Sequence, residues 1–294
     1  MRASVKSNAP VPAAPQHTGR SRMTPLPPVF PCNWAVAYGE DRHGLWQAFE
    51  VAGQRQVLRW LPPGRFAMGS PSTEAGRFDD ETEHGVTLTQ GLWLADTACT
   101  QALWAAVMDG ANPSRFSDDP QNPVEQVNWN DVVDEFLPRL NARVPGLGAT
   151  LPTEAQWEYA CRGDAEHKAP FWFGDQIDSA QVNFDGNDPM PGGKKSAYRE
   201  RTVPVKALPC NGWGLYQMHG NVWEWCADGY APYPGADAEN RTGPAHEPTG
   251  TAWRVLRGGS WLDLARYCRS ALRYASVPGL RNFDFGFRLA RGAS

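Results

Sequence analysis

Apolar residues in this chain alternate over short distances and seldom form long runs. In GLWQAFEVAGQRQVLRW (44–60) they alternate on both sides of Ala52–Gly53, which predicts two short strands joined by a tight turn. LPPGRFAMGSP (61–71) gives a Pro-Pro-Gly turn, a short strand through Phe66 and Met68, and a second turn. The acidic stretch Glu74–Glu83 reads as a surface loop, and VTLTQGLWLADTACT (86–100) returns to strand alternation. Two helices are predicted next. One spans Thr100–Met108 with Thr100 as N-cap. The other starts after Asn130 as N-cap, its apolar stripe formed by Val133, Phe136, Leu137 and Leu140. Pro138 lies inside that stripe and should kink or shorten the helix, because it lacks the N–H the ladder needs. The strongest helix start is LPTEAQWEYACRG (151–163). Thr153 caps it, Gln156 completes a capping box, and Trp157, Ala160 and Cys161 share one face. Beyond about residue 165 no long helical period remains, only short strands between Gly, Pro, Asn and Asp turns. The chain has no internal repeats, so one domain fits better than two.

Composition sharpens this into a loop-rich domain. The chain has 29 Gly, 26 Pro and 13 Trp, so turns are frequent and aromatic rings must anchor them. A formal net charge of −4 supplies no phosphate-neutralising face and argues against nucleic acid. The basic group Lys194, Lys195, Arg199 and Arg201 reads as a solvated loop. Six scattered cysteines without a CxxC pair make a zinc site improbable and read as reduced, mostly buried thiols. Residues 1–32 form a Pro/Ala-rich stretch without the apolar core of a signal peptide, and no segment approaches the roughly 18 apolar residues of a membrane span. The expectation is a cytoplasmic protein with no membrane contact, a disordered tail over 1–32 and one domain over 33–294.

Four segments in order carry a family resemblance. They are RFAMGSP (65–71) followed by VTLT, LPTEAQWEYACRG (151–163), NGWGLYQMHGNVWEWCADGY (211–230), and RVLRGGSW (254–261) with GFRLAR (286–291). Together they resemble the formylglycine-generating-enzyme-like (sulfatase-modifying-factor) family. That resemblance implies an α+β, C-type-lectin-type fold with few helices, short antiparallel strands and little regular secondary structure. It also implies a structural Ca2+ at GNVWEW, with Asn221 and Glu224 as ligands, both hard oxygen donors. The alternative for Glu224 is a hydrogen-bonded carboxylate in a tight turn. A second family ion would begin at Asn183 and Phe184, but its later carboxylate falls in the rewritten loop DGNDPMPGGKKSAYRER (185–201).

The family's founding activity oxidises a sulfatase cysteine to formylglycine, using O2 and copper held by two thiolates five residues apart after GGS. In GGSWLDLARYC the first position is Asp263 and the second is Cys268. One soft donor has become a hard one, so no copper is expected, and Cys268 reads as a small buried hydrophobe. Family members that make sulfoxides need a histidine iron site, and none of the six histidines pairs with another at helical spacing.

The segment 258–291 keeps a fixed frame of GGSW, ARxCRSAxR, Pro278 and GFRLAR. Between these stand Leu262, Asp263, Leu264, Tyr267, Leu272, Tyr274, Ala275, Leu280, Phe283, Asp284 and Phe285. Aromatic and aliphatic residues broken by Asp are unusual for a loop and suit a recognition surface. The segment is similar to the variable proteins of diversity-generating retroelements, whose asparagine codons mutate at adenines and yield this set of residues. The alternative is ordinary core. The resulting expectation is a non-catalytic protein that meets a protein or other macromolecular ligand through this segment. On that view Leu262, Leu264, Tyr267, Tyr274, Phe283 and Phe285 are exposed and contiguous, with Trp261, Cys268 and Phe287 buried behind them. The competing readings are an oxidase that uses Cys268 and a pseudoenzyme that partners a true family enzyme.

Overall fold

Alternation about Ala52–Gly53 produces the hairpin β2 (Gly44–Val51) and β3 (Gln54–Leu61), preceded by β1 (Ala37–Asp41). Ala52 and Gly53 both take positive φ (47° and 78°), the geometry that matches a two-residue turn to the twist of its strands. The computed structural model describes residues 25–163, 168–233, 238–239 and 253–292. Strand β4 is Gly64–Met68, β5 His84–Leu88 and β6 Leu92–Ala95. Later come β7 (Trp223–Gly229), β8 (Ala238–Glu239), β9 (Arg254–Arg257), β10 (Tyr274–Ser276), β11 (Phe285–Gly286) and β12 (Ala290–Gly292). An antiparallel sheet runs β1-β2-β3-β6-β12, so the end of the chain closes onto its beginning. A second sheet runs β10-β9-β7-β11 and carries the C-terminal segment, and a third runs β4-β5-β8.

Helix α1 (Gln101–Val107) starts as expected, with Thr100 Oγ1 accepting from the Leu103 amide at 3.1 Å. The next helix differs. It opens with a π-helical stretch, Asp131–Phe136, and continues as α2 (Leu137–Arg143). Asn130 is already helical and caps nothing; Asn128 Oδ1 accepts from the Asp131 amide while Asp131 Oδ2 accepts from the Asn128 amide. The widened turns place Pro138 in the first turn of α2, where its missing N–H costs little. Helix α3 (Glu154–Arg162) has the predicted capping box at Thr153 and Gln156. It is buried almost all round rather than on one face, with Glu154 and Glu158 inside.

One boundary and one loop differ from the sequence reading. Residues 25–32, assigned to the tail by composition, pack on the first sheet: the Trp60 indole N–H donates to Pro25 O at 2.8 Å, Phe30 stacks on Trp93 and Cys32 is buried. The rest of the expected tail, residues 1–24, lies outside the described residues. The acidic stretch is not a free surface loop either, since Glu81 is buried and, with Glu74, meets Arg269. All six cysteines are free and five are buried. Among the described residues no helix is long and apolar enough to cross a membrane.

Four buried arginines pin the C-terminal segment to this frame. Arg257 reaches Glu154 and Glu158 of α3, Arg273 reaches Glu154, Arg269 reaches Glu74 and Glu81, and Arg288 reaches Glu224. Each guanidinium also donates to backbone carbonyls, so the buried charges are paired and hydrogen-bonded, the condition under which such charges are tolerated inside a protein.

Candidate ligand-binding site

The segment leaves β9 through Gly258 and Gly259, both at positive φ (102° and 73°). A Cβ on Gly259 would stand 2.8 Å from Cys268 Sγ and 2.8 Å from Tyr267 O, so only glycine lets the chain fold back over the turn Ala265–Cys268. Ser260 follows and is fully buried. Its amide donates to Asp263 Oδ2 at 2.9 Å, and its hydroxyl lies 2.5 Å from that oxygen and 3.1 Å from Asp284 Oδ2. One hydroxyl proton thus stands between two carboxyl groups. Burial and the charge of Asp263 push the Asp284 carboxyl up to about 7, and burial raises Asp263 as well.

Aromatic rings enclose this pair. The Trp223 indole lies close enough to Asp263 to favour its charged form, and its ring centroid lies 5.0 Å from that of Tyr274. Trp261 packs on Phe283 at 5.8 Å, on Phe116 at 5.4 Å and on Tyr198 at 6.2 Å. Arg115 stands over Phe283 and Phe116 at the rim. Beneath Phe116, the buried Glu125 accepts from the Phe116 amide, and burial lifts its carboxyl to about 7.

The expected surface set divides into three groups. Tyr274 and Leu280 are exposed (46% and 45%), while Leu262, Asp263, Leu264, Tyr267 and Phe283 are half-buried. Leu272, Ala275, Asp284 and Phe285 are buried (2%, 7%, 3% and 2% exposed), which corrects their assignment to the surface. The register explains the correction. Phe285 pairs with Trp223 across β11 and β7 and sets its edge against Trp225, while Ala275 pairs with Val255 across β10 and β9. Leu272 and Phe285 join Trp225, Leu256 and Phe287 in the main core. Trp261, Cys268 and Phe287 are buried as expected. Nor is the set one continuous patch. Asp263 and Asp284 meet at Ser260, with Tyr274 packed on Trp223 and Phe283 on Trp261, whereas Tyr267 stacks on Phe78 and Leu264 lines a separate cleft of about 360 Å³ with Met190 and Arg266. Leu280 sits in a turn whose amide donates to Val277 O. Ser260 and Trp223 lie in quoted motifs but carry no advance sign of meeting the carboxylates. Phe116, Arg115, Glu125 and Tyr198 come from distant loops and give no sequence signal.

The donor sets for metals do not fit. Both oxygens of Glu224 are taken, Oε2 by Arg288 Nε and the Trp157 indole (2.6 Å each) and Oε1 by Arg288 Nη2 (2.7 Å). Asn221 Oδ1 accepts from Val203 N and from Asn183 Nδ2. The Ca2+ expected at Asn221 and Glu224 therefore lacks side-chain ligands, and Glu224 is the hydrogen-bonded carboxylate of the alternative reading. At the position of the copper pair, Asp263 is held by Ser260. Cys268 is fully buried, and its thiol is pushed well above its ordinary range by burial, with Asp263 adding to the shift. His219, the one histidine within a motif, is buried against Cys268 O, and burial lowers it to about 4.

This architecture has known counterparts. Residues 46–293 match the family model described as the sulfatase-modifying factor enzyme 1-like domain. The formylglycine-generating enzyme of Thermomonospora curvata is 33% identical over 233 residues, covering 74% of this chain and 74% of that protein. The bovine (Bos taurus) formylglycine-generating enzyme is also 33% identical over 233 residues, covering 74% of this chain but 59% of that protein, so the chain spans little more than half the length of the bovine relative. Among solved structures, Treponema denticola variable protein 1 superposes with a TM-score of 0.70 and 25% identity, covering 84% of this chain and 98% of that one. With most of its length matched, the chain belongs to the sulfatase-modifying factor enzyme 1-like domain family.

Proposed function

We propose that this chain is a non-catalytic ligand-binding protein that meets a protein or other macromolecular ligand through the outward residues of its C-terminal segment. The observation that carries this reading is the fate of the copper-pair position. Asp263, a hard donor, stands there bound to Ser260 beside the Trp223 indole, and the remaining thiol, Cys268, is buried and held protonated. Tyr274, Phe283 and Leu280 carry apolar area that folding leaves partly uncovered, as recognition surfaces do. Likeness to a structure described as a variable protein supports the same reading. The oxidase reading draws on the formylglycine-generating relatives but has Asp263, a hard donor, at the first position of the copper pair.

A turnover assay tests the proposal. The full chain is incubated with Cu(I), oxygen, a thiol reductant and a sulfatase-type peptide containing Cys, Pro and Arg, and the peptide is read by mass spectrometry. The peptide is expected to stay unmodified. Conversion of its cysteine to an aldehyde that disappears in Cys268→Ser would overturn the proposal in favour of the oxidase.

A further inference from the structure

We infer that the Asp263–Asp284 pair is a subsite for an organic cation, the ammonium or guanidinium of a basic side chain on the ligand, held between the carboxylates and the rings of Trp223 and Tyr274. The inference deepens the binding reading above and rests on it.

Its first ground is uncompensated charge. Asp263 and Asp284 share the single hydroxyl of Ser260, and no Lys, Arg or His among the described residues pairs with either. In the free protein the pair can ionise fully only against its own repulsion, and a cation placed between the two groups removes that cost. The second ground is an orphan acceptor. Asp284 is only 3% exposed, its Oδ2 faces Ser260, and its Oδ1 has no hydrogen-bond partner. A buried carboxylate oxygen without a donor costs free energy that a ligand N–H would recover. The third ground is the wall around the pair. Trp223, itself buried beside Asp263, packs on Tyr274, which is 46% exposed, so the Tyr274 ring forms the open wall next to the half-buried Asp263. Carboxylates between aromatic faces favour a cation with an apolar stem over a small hydrated metal ion. The indole N–H of Trp261, beside Phe283, is likewise buried without an acceptor.

Other charged groups around the site set its pH behaviour. Glu125 lies behind Phe116, Tyr198 and Tyr274 feel the Asp charges, and Arg115 stands over Phe283 at the rim. Cation binding favours the ionised Asp284, so affinity should rise as pH climbs through about 7, the region where that carboxyl titrates.

The test uses the full chain and three uncharged-backbone probes: Nα-acetyl-lysine amide, Nα-acetyl-arginine amide and Nα-acetyl-norleucine amide. Indole N–H signals of Trp223 and Trp261 are followed by NMR during titration. The lysine or arginine probe should shift both signals with saturation while the norleucine probe does not, and the two basic probes reveal whether ammonium or guanidinium fits better. Asp263→Asn and Asp284→Asn, with melting temperature as the control for folding, should each weaken binding by about tenfold or more, as expected on losing a charged hydrogen bond. Equal shifts with norleucine would overturn the cation assignment and leave an apolar binding face. Shifts produced by Ca2+ or Mg2+ salts, abolished in Asp263→Asn, would overturn it in favour of a metal. Absence of any shift with the basic probes overturns it outright. Peptide oxidation in the turnover assay would instead remove the binding reading and leave the cation titration as measured.

Discussion

Asp284 illustrates how a single side chain in the C-terminal segment can serve neither core nor plain surface. Its folded-state carboxyl is raised to about 7, above an ordinary value near 4, so the native state binds the proton that the unfolded chain has released. The stabilising contribution is complete below the ordinary value and is lost as pH rises through about 7. Glu125 acts in the same direction and over the same window. His219, lowered by burial to about 4, acts the opposite way over this range. Urea unfolding at a series of pH values is therefore read as a difference: Asp284→Asn should lose less stability than the parent between about pH 4 and 7. A variant curve parallel to the parent would refute the assignment. Neighbouring residues separate the other two environments. Tyr274→Ser, at an exposed position, should change stability by no more than about 0.5 kcal/mol. Phe285→Ser removes a ring packed on Trp225 and should cost about 3–5 kcal/mol in the same measurement. Sequence alone could not separate these two. Both are aromatic and both fall between fixed frame motifs, and only the register of β10 and β11 against β9 and β7 turns one outward and the other in.

At the scale of elements, local signals were readable where the deciding groups are close in sequence. The Ala52–Gly53 turn, the Thr100 cap and the Thr153–Gln156 box each involve residues within a few positions, and each forms as read. The second helix departs for a physical reason: Asn128 and Asp131 cap each other, and a π-helical stretch absorbs the approach to Pro138. The buried acidic residues Glu74, Glu81, Glu154 and Glu158 were unreadable because the arginines that hold them, Arg257, Arg269 and Arg273, lie 99 to 195 positions away. Glu224 falls in the same class, since its partner Arg288 lies 64 positions on. Its role is then structural, which gives an outcome opposite to that of a metal site. Glu224→Gln should cost about 3–5 kcal/mol by leaving Arg288 buried without its counter-charge, as monitored by chemical denaturation. A chelator should leave the melting temperature of the parent unchanged. A melting temperature that falls with chelator and recovers with Ca2+ would restore the metal reading.

Across the whole molecule, the C-terminal segment is tied down by one set of residues and displays another. The arginines of its frame, Arg257, Arg269, Arg273 and Arg288, end in carboxylates of α3, of the acidic stretch and of β7, so the frame is fixed from inside. Leu262, Asp263, Leu264, Tyr267, Tyr274, Leu280 and Phe283 remain wholly or partly outside that network. The fold was legible from four ordered motifs because their glycines, tryptophans and arginines are the framework itself. The site was legible only as a stretch of chain, since Phe116, Glu125 and Tyr198 reach it through tertiary packing. Separation of frame from face is the claim on which the binding account depends, and comparison of two displayed libraries measures it directly. One library diversifies the seven outward positions and the other diversifies Leu272, Ala275 and Phe285, and resistance to a protease reports the folded fraction of each. The account predicts that most members of the first library stay folded while most members of the second are cleaved. Equal losses in both would mean that the outward residues are needed for folding, and the proposed binding face would be ordinary core.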